Sequence, residues 1–110
     1  MENQFSRTES LITAISMEKL RLAHVAVFGI GGVGGYVAEA LARAGIGNID
    51  IIDNDTISIT NINRQLIATH SSLGKQKTEV MKARILDINP NANVNVFNTF
   101  FMPENSGEFN

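Results

Sequence analysis

Apolar residues follow two kinds of pattern along the chain, one typical of helices and one typical of strands. Helical spacing is clearest at Met81, Ile85 and Ile88, which stand at i, i+4 and i+7 on one face. Short runs such as HVAVF are rich in β-branched residues and bounded by glycine, which predicts strands. In order, the predicted elements are a helix over 8–22, a strand over 24–28, a helix over 33–44, a strand over 48–52, a mostly irregular segment over 56–72, a helix over 74–88 and a strand over 93–97.

This order of elements predicts an α/β fold. A helix followed by β-α-β-α-β is the N-terminal half of a Rossmann-like, three-layer domain with a parallel sheet. Gly45 is placed to end the second helix, and Asn89-Pro90 stops the third. We interpret residues 1–110 as one domain, and expect it to be truncated where the second half of such a sheet would start. The strand over 24–28 would then expose an apolar edge, which favours association.

Composition narrows the class of protein only moderately. The chain is 44% hydrophobic and 18% charged, and its net charge is −2. This net charge gives no electrostatic argument for binding nucleic acid, although a local basic patch could still bind it. The absence of cysteine excludes disulfides, thiolate zinc sites and a cysteine nucleophile in this sequence. There is no run of about 18 apolar residues and no secretory signal pattern. We therefore expect a cytoplasmic protein without a membrane partner.

The stretch VFGIGGVGGY, between the first strand and the second helix, is typical of a phosphate-binding loop. Gly29 permits the tight turn, Gly31 lets a phosphate approach the backbone, and Gly34 lets the helix lie close to the strand. A glycine-rich turn without a ligand is the alternative. Asp53 ends the second strand, 24 positions after Gly29, where a carboxylate accepts hydrogen bonds from ribose hydroxyls. Neither feature distinguishes a dinucleotide from ATP, and Asp53 could instead cap a turn.

Three further features favour chemistry at phosphorus over hydride transfer. Asp55 adds a second carboxylate beside the predicted phosphate-binding loop, and two carboxylates would repel a phosphate unless Mg²⁺ lay between them. An Asx turn is the alternative explanation for Asp55. Arg64 lies in the polar loop NINRQ and is suited to phosphate oxygens, unless it is simply a surface residue. Lys75 and Lys77 fall in the first predicted turn of the third helix, where cations oppose the helix dipole. We interpret Lys75 as solvent-exposed and Lys77 as functional.

The segments GIGGVG, DND, TNINRQ and GKQKTEV together resemble the ATP-binding half of the ubiquitin-activating-like ThiF/MoeB/HesA family of adenylating enzymes, over about residues 5–103. The resemblance implies that Asp53 holds the ribose, that Asp55 lies near the phosphates and Mg²⁺, and that Asn61, Arg64 and Lys77 contact the triphosphate and assist adenylation. The implied nucleotide-binding residues are Gly29, Ile30, Gly31, Gly32, Val33, Gly34, Asp53, Asp55, Asn61, Arg64, Gln65 and Lys77.

The N-terminal segment indicates a branch of that family. Arg7 resembles the arginine that reaches into the partner subunit's ATP site in family dimers, although FSRTE departs from the RYSRQ of the sulfur-carrier branch. FSRTESLI, the NINRQ loop and EALARAGIGNIDIIDND are most similar to members that dehydrate threonylcarbamoyladenosine in tRNA. The resemblance implies ATP-dependent activation of the carboxylate of that nucleoside, followed by ring closure, in a homodimer. The resemblance also implies a second magnesium-binding aspartate after the next strand, which we expect beyond Asn110.

Three alternatives remain open from the sequence. The chain could belong to an enzyme that adenylates the C-terminus of a ubiquitin-like sulfur-carrier protein. It could be the dinucleotide-binding domain of a dehydrogenase, against which Arg64 and Lys77 argue. It could also be a nucleotide-binding module that is inactive by itself while its parent protein is the enzyme.

Overall fold

The computed structural model describes residue 4 and residues 14–99, with side chains described from Met17 onward in the longer range. Most predicted boundaries agree with the structure. The first part of the predicted helix over 8–22 lies outside the described residues, and so does Arg7. The elements are α1 (Ala14–Leu22), β1 (His24–Phe28), α2 (Val33–Ala44), β2 (Asn48–Ile52), two 3-10 helices (Ile59–Asn61 and His70–Ser72), α3 (Lys77–Ile88) and β3 (Asn93–Phe97).

The three strands form one parallel sheet in the order β1-β2-β3, with β2 in the centre. Parallel neighbours need a long crossover, which α2 supplies between β1 and β2 and α3 supplies between β2 and β3. The carboxyl ends of all three strands therefore meet at one edge of the sheet. This confirms the Rossmann-like α/β half predicted from the sequence.

The hydrophobic core lies between the sheet and the two crossover helices. Ile49 and Ile51 of the central strand are fully buried, and Met81 and Ile85 of α3 are buried with them. Small residues of α2, such as Ala42, allow that helix to approach the sheet closely. The core fixes α2 and α3 over one face, so the N-terminus of each helix points to the edge where the strands end.

The opposite face of the sheet carries polar residues. His24 Nε2 lies 2.7 Å from Asp50 Oδ2, and Asn95 Nδ2 donates to Asp50 Oδ1 at 3.1 Å. The buried carboxylate of Asp50 is thereby partnered on both oxygens, as a buried charge requires.

On α1, the hydrogen bond from Arg21 lowers the pKa of the Glu18 carboxyl, and Glu18 raises the pKa of Arg21.

The start of α3 corrects the sequence prediction. The helix was expected from residue 74, but it begins at Lys77. Gly74 has a φ of +80°, and Thr56 and Gln76 form an antiparallel bridge, so this backbone pairs with residues 56–57 instead of continuing the helix. Lys75 consequently lies before the helix and is exposed, whereas Lys77 is the first helical residue.

Candidate nucleotide site

The glycine loop joins the end of β1 to the N-terminus of α2. Gly29 has a φ of +85° and donates its N–H to the carbonyl of Ile52 at 2.8 Å, which ties the turn to β2. Gly32, at the N-cap of α2, has a φ of +56°, so both positions favour glycine. A Cβ at Gly34 would lie 1.7 Å from the Gly29 carbonyl oxygen, so glycine here allows the helix to lie against the turn. The loop thus places the N-terminus of α2, which favours anions, at the sheet edge.

Asp53 connects the end of β2 with this loop. Its Oδ2 accepts the N–H of Ile30 at 2.7 Å, and its Oδ1 accepts the N–H of Asp55 at 2.8 Å. An ionised carboxylate offers about four acceptor sites, so both oxygens retain capacity for ribose hydroxyls. The structure therefore brings Asp53 to the glycine loop and also gives it the turn-capping contact that the sequence left open.

Lys77 is a buried cation beside Asp55. Its side chain is 7% exposed, whereas that of Asp55 is 59% exposed, and their Nζ and Oδ2 atoms lie 3.6 Å apart. The Lys77 N–H also donates to the Asp55 carbonyl at 3.0 Å. The structure places both residues at the N-terminus of α3, on the same sheet edge as the glycine loop.

One residue of the NINRQ loop, Gln65, packs against the glycine loop. The Gln65 side chain lies over Gly31, where a Cβ would stand 2.8 Å from Gln65 Nε2. Gln65 Oε1 is buried and has no hydrogen-bond partner among the described residues. Gln65 therefore occupies the space beside the Gly31 backbone at which the sequence predicted a phosphate to approach.

Asn61 and Arg64 are bonded within their own loop. Asn61 is buried, and its Oδ1 accepts the N–H of Ser58 at 2.9 Å, which closes the first 3-10 helix. Arg64 is exposed, and its Nη1 donates to the Thr60 carbonyl at 2.8 Å and to Asn63 Oδ1 at 3.2 Å. Among the described residues, the hydrogen bonds of both side chains lie within residues 58–64, so their contact with a triphosphate stays a prediction.

Two residues at this edge were absent from the sequence prediction. The fully buried Thr78 donates its hydroxyl to Oδ1 of Asn98, the residue that follows β3. The position of Asn98 directly after a parallel strand could have indicated a site residue, since ligands bind outside the carboxyl ends of such strands. The hydroxyl of Thr78 carried no sequence signal, because its partner is distant in the chain.

The carboxylates of the DND segment are engaged by groups of the protein itself, and magnesium binding by Asp55 stays a prediction. Asp53 uses both oxygens on backbone N–H groups, and Asp55 faces an ammonium. Within residues 14–99 no group of three or more histidine, cysteine, aspartate or glutamate residues is arranged to hold a metal ion. The same part of the chain has no helix long and apolar enough to cross a membrane.

A parallel sheet with a glycine turn, a helix N-terminus and an acid after the second strand defines a domain of the Rossmann type. The match to a family sequence model assigns this domain to one family. The chain belongs to the ThiF family, whose sequence model matches residues 5–110.

Known relatives indicate a branch of this family. The chain is 50% identical to the tRNA threonylcarbamoyladenosine dehydratase of Haemophilus influenzae, over 98% of this chain and 41% of that protein. The solved structure of the E. coli tRNA N6-threonylcarbamoyladenosine dehydratase in complex with ATP superposes with a TM-score of 0.93 at 43% identity, over 96% of this chain and 44% of that one. The Haemophilus influenzae molybdopterin-synthase adenylyltransferase is 36% identical over 74% of this chain and 33% of that protein. The chain spans about two fifths of the dehydratases it matches.

Proposed function

We propose that residues 1–110 form the ATP-binding domain of a tRNA threonylcarbamoyladenosine dehydratase. The observation that carries this proposal is the 50% identity to such a dehydratase over nearly the whole chain, against 36% over a shorter stretch for the molybdopterin-synthase adenylyltransferase of the same organism. The superposition on a dehydratase that binds ATP supports ATP as the nucleotide. We also propose the cytoplasmic location expected from the sequence.

The proposed reaction uses the sheet edge to activate a carboxylate. When bound, ATP supplies an electrophilic α-phosphorus; a carboxylate oxygen of the modified adenosine attacks it, and the bond to pyrophosphate breaks. A nucleophile of the same nucleoside then attacks the activated carbonyl, AMP leaves, and the ring that forms has lost one water. The glycine loop and the N-terminus of α2 hold the phosphates, and Asp53 binds the ribose. Lys77 and Arg64 stabilise the negative charge that develops as pyrophosphate leaves.

The proposed phosphate contacts require a movement of the NINRQ loop. Arg64 is bonded to Thr60 and Asn63, and Gln65 lies on the glycine at which a phosphate would approach the backbone. The buried, unpartnered Gln65 Oε1 supports a second position for this side chain, in which that oxygen receives a donor. Asn61, which holds the base of the loop, stays in place while Arg64 turns to the triphosphate. Mg²⁺ accompanies the ATP phosphates, because their charge needs a counterion.

We further propose a homodimer in which Arg7 of one subunit completes the ATP site of the other. The resemblance of Arg7 to the arginine that reaches into the partner subunit's ATP site in family dimers supports this proposal. Light scattering on the full-length protein should give twice the mass of the subunit, and a constant monomer mass over a wide concentration range would contradict this proposal.

The function is tested with the full-length protein, Mg-ATP and tRNA that carries threonylcarbamoyladenosine. We expect AMP to be released and the nucleoside to lose the mass of one water. The same tRNA without the modification is the matched control and should release no AMP. Release of AMP with no change of the nucleoside mass would overturn the dehydratase assignment.

Adenylation of a ubiquitin-like sulfur-carrier protein is the second candidate function. It is favoured by the matched molybdopterin-synthase adenylyltransferase, which has the same family fold. Exchange of pyrophosphate into ATP that depends on a carrier protein with a C-terminal Gly-Gly, and not on the tRNA, would support this candidate in place of the first.

A further inference from the structure

We propose that Asp55 is a positioning residue for the ammonium group of Lys77, and that it is not a ligand of Mg²⁺. This inference rests on the proposed function, since it concerns how Lys77 is presented to the ATP phosphates. It differs from the role that the family resemblance implied for Asp55, which was contact with the metal.

Asp55 contacts Lys77 at both ends of the lysine. The Asp55 carbonyl accepts the Lys77 N–H at 3.0 Å, and Asp55 Oδ2 lies 3.6 Å from Lys77 Nζ. Asp55 is itself fixed, because its own N–H donates to Asp53 Oδ1 at 2.8 Å. A chain of contacts thus leads from the phosphate loop through Asp53 and Asp55 to the lysine.

The position of Lys77 explains why a carboxylate is needed there. The side chain is 7% exposed, and an ammonium removed from water is unfavourable unless it is paired. Lys77 is also the first residue of α3, where the positive end of the helix dipole opposes a cation. The four-carbon stem of lysine is flexible, so without Asp55 the ammonium would turn toward solvent. Asp55 holds the cation in place before the nucleotide arrives, which is what electrostatic stabilisation of a transition state requires.

The same geometry disfavours a metal ion on Asp55. Mg²⁺ in a nucleotide site is held by one or two carboxylates, substrate phosphates and waters, so the charge beside Asp55 decides whether it can be one of these ligands. The Asp55 carboxylate faces the Lys77 ammonium, with Oδ2 3.6 Å from Nζ. A dication placed on Asp55 would be repelled by Lys77 and would release it from its partner.

The first test observes the ammonium group directly. In full-length protein labelled with ¹⁵N-lysine, the Lys77 ammonium should give a resonance protected from exchange with water, assigned by its loss in Lys77→Arg. We expect Asp55→Asn to broaden or abolish this resonance, and the control Asp87→Asn, at an exposed carboxylate near the C-terminal end of α3, to leave it unchanged. An unchanged resonance in Asp55→Asn would overturn the proposal, whatever the enzyme's substrate.

The second test separates positioning from metal binding in the reaction. Asp55→Asn should lower kcat for AMP formation about fivefold, since the pair is partly solvent-exposed, and leave the half-saturating Mg²⁺ concentration within about twofold. In a Lys77→Gln background the same change should have no further effect, because both act through one group. A rise of about tenfold or more in the Mg²⁺ requirement of Asp55→Asn would make Asp55 a metal ligand instead. If the wild-type protein forms no AMP with the modified tRNA, the proposed function fails, and the resonance of Lys77 still decides the role of Asp55.

Discussion

Lys77→Gln should lower kcat for AMP formation by about 10²–10³-fold, the range seen when one preorganised donor is removed from a transition state. Lys77 is the only buried cation among the described lysine and arginine residues, and it stands at the sheet edge that the glycine loop defines. Charge develops on the departing pyrophosphate, so the ammonium interacts more strongly with the transition state than with bound ATP. The KM for ATP should therefore change much less than kcat.

The chain supplies a matched control for this prediction. Lys75 lies two residues earlier but is exposed and precedes the helix, so Lys75→Gln should leave kcat within about twofold. Folding of the Lys77→Gln protein is checked by circular dichroism and urea unfolding. The exposed Asp55 remains solvated after the substitution, which keeps the cost in free energy of unfolding small. Equal rates for Lys75→Gln and Lys77→Gln would exclude Lys77 from the reaction.

The strands and the fold class could be predicted from the sequence because their signals are local. The runs HVAVF, NIDII and NVNVF are followed by Gly29, Asp53 and Asn98, which are residue types that disfavour strands. The structure confirms all three strands. The start of α3 could not be predicted, because the bridge between Thr56 and Gln76 competes with the helix. That pairing depends on residues far apart in the sequence.

In the candidate site, too, features set by local motifs could be predicted and features set by distant segments could not. The approach of α2 to Gly29 and the placing of Asp53 beside the loop follow from the spacing of the motif. The contact between Gln65 and Gly31, and the hydrogen bond of Thr78 with Asn98, depend on how distant segments pack. The sequence indicated that Asp55 and Lys77 were both functional. It could not indicate that they pair with each other, and the proposed positioning role of Asp55 rests on that pairing.

Gly34→Ala should lower the free energy of unfolding by about 3 kcal/mol or more, at or beyond the upper end of typical overpacking costs. The new Cβ would lie 1.7 Å from the Gly29 carbonyl oxygen, and neither the turn nor the first turn of α2 has a flexible group that could yield. Relief of this clash requires α2 to move away from β1, which would also separate the helix N-terminus from the place proposed for the phosphates. Urea unfolding should show a lower midpoint with an unchanged slope.

The comparison with Gly31→Ala shows whether the backbone contact is the cause. A Cβ at Gly31 would meet Gln65 Nε2 at 2.8 Å, the end of a side chain that is free to change rotamer, and Gly31 does not have a positive φ. Gly31→Ala should therefore change the free energy of unfolding by less than about 1 kcal/mol, because alanine also restricts the unfolded chain. It should nevertheless weaken ATP binding, because the methyl group occupies the approach to the backbone. If the two alanine variants unfolded at the same urea concentration, the close approach of α2 to the glycine turn would not be what makes Gly34 necessary.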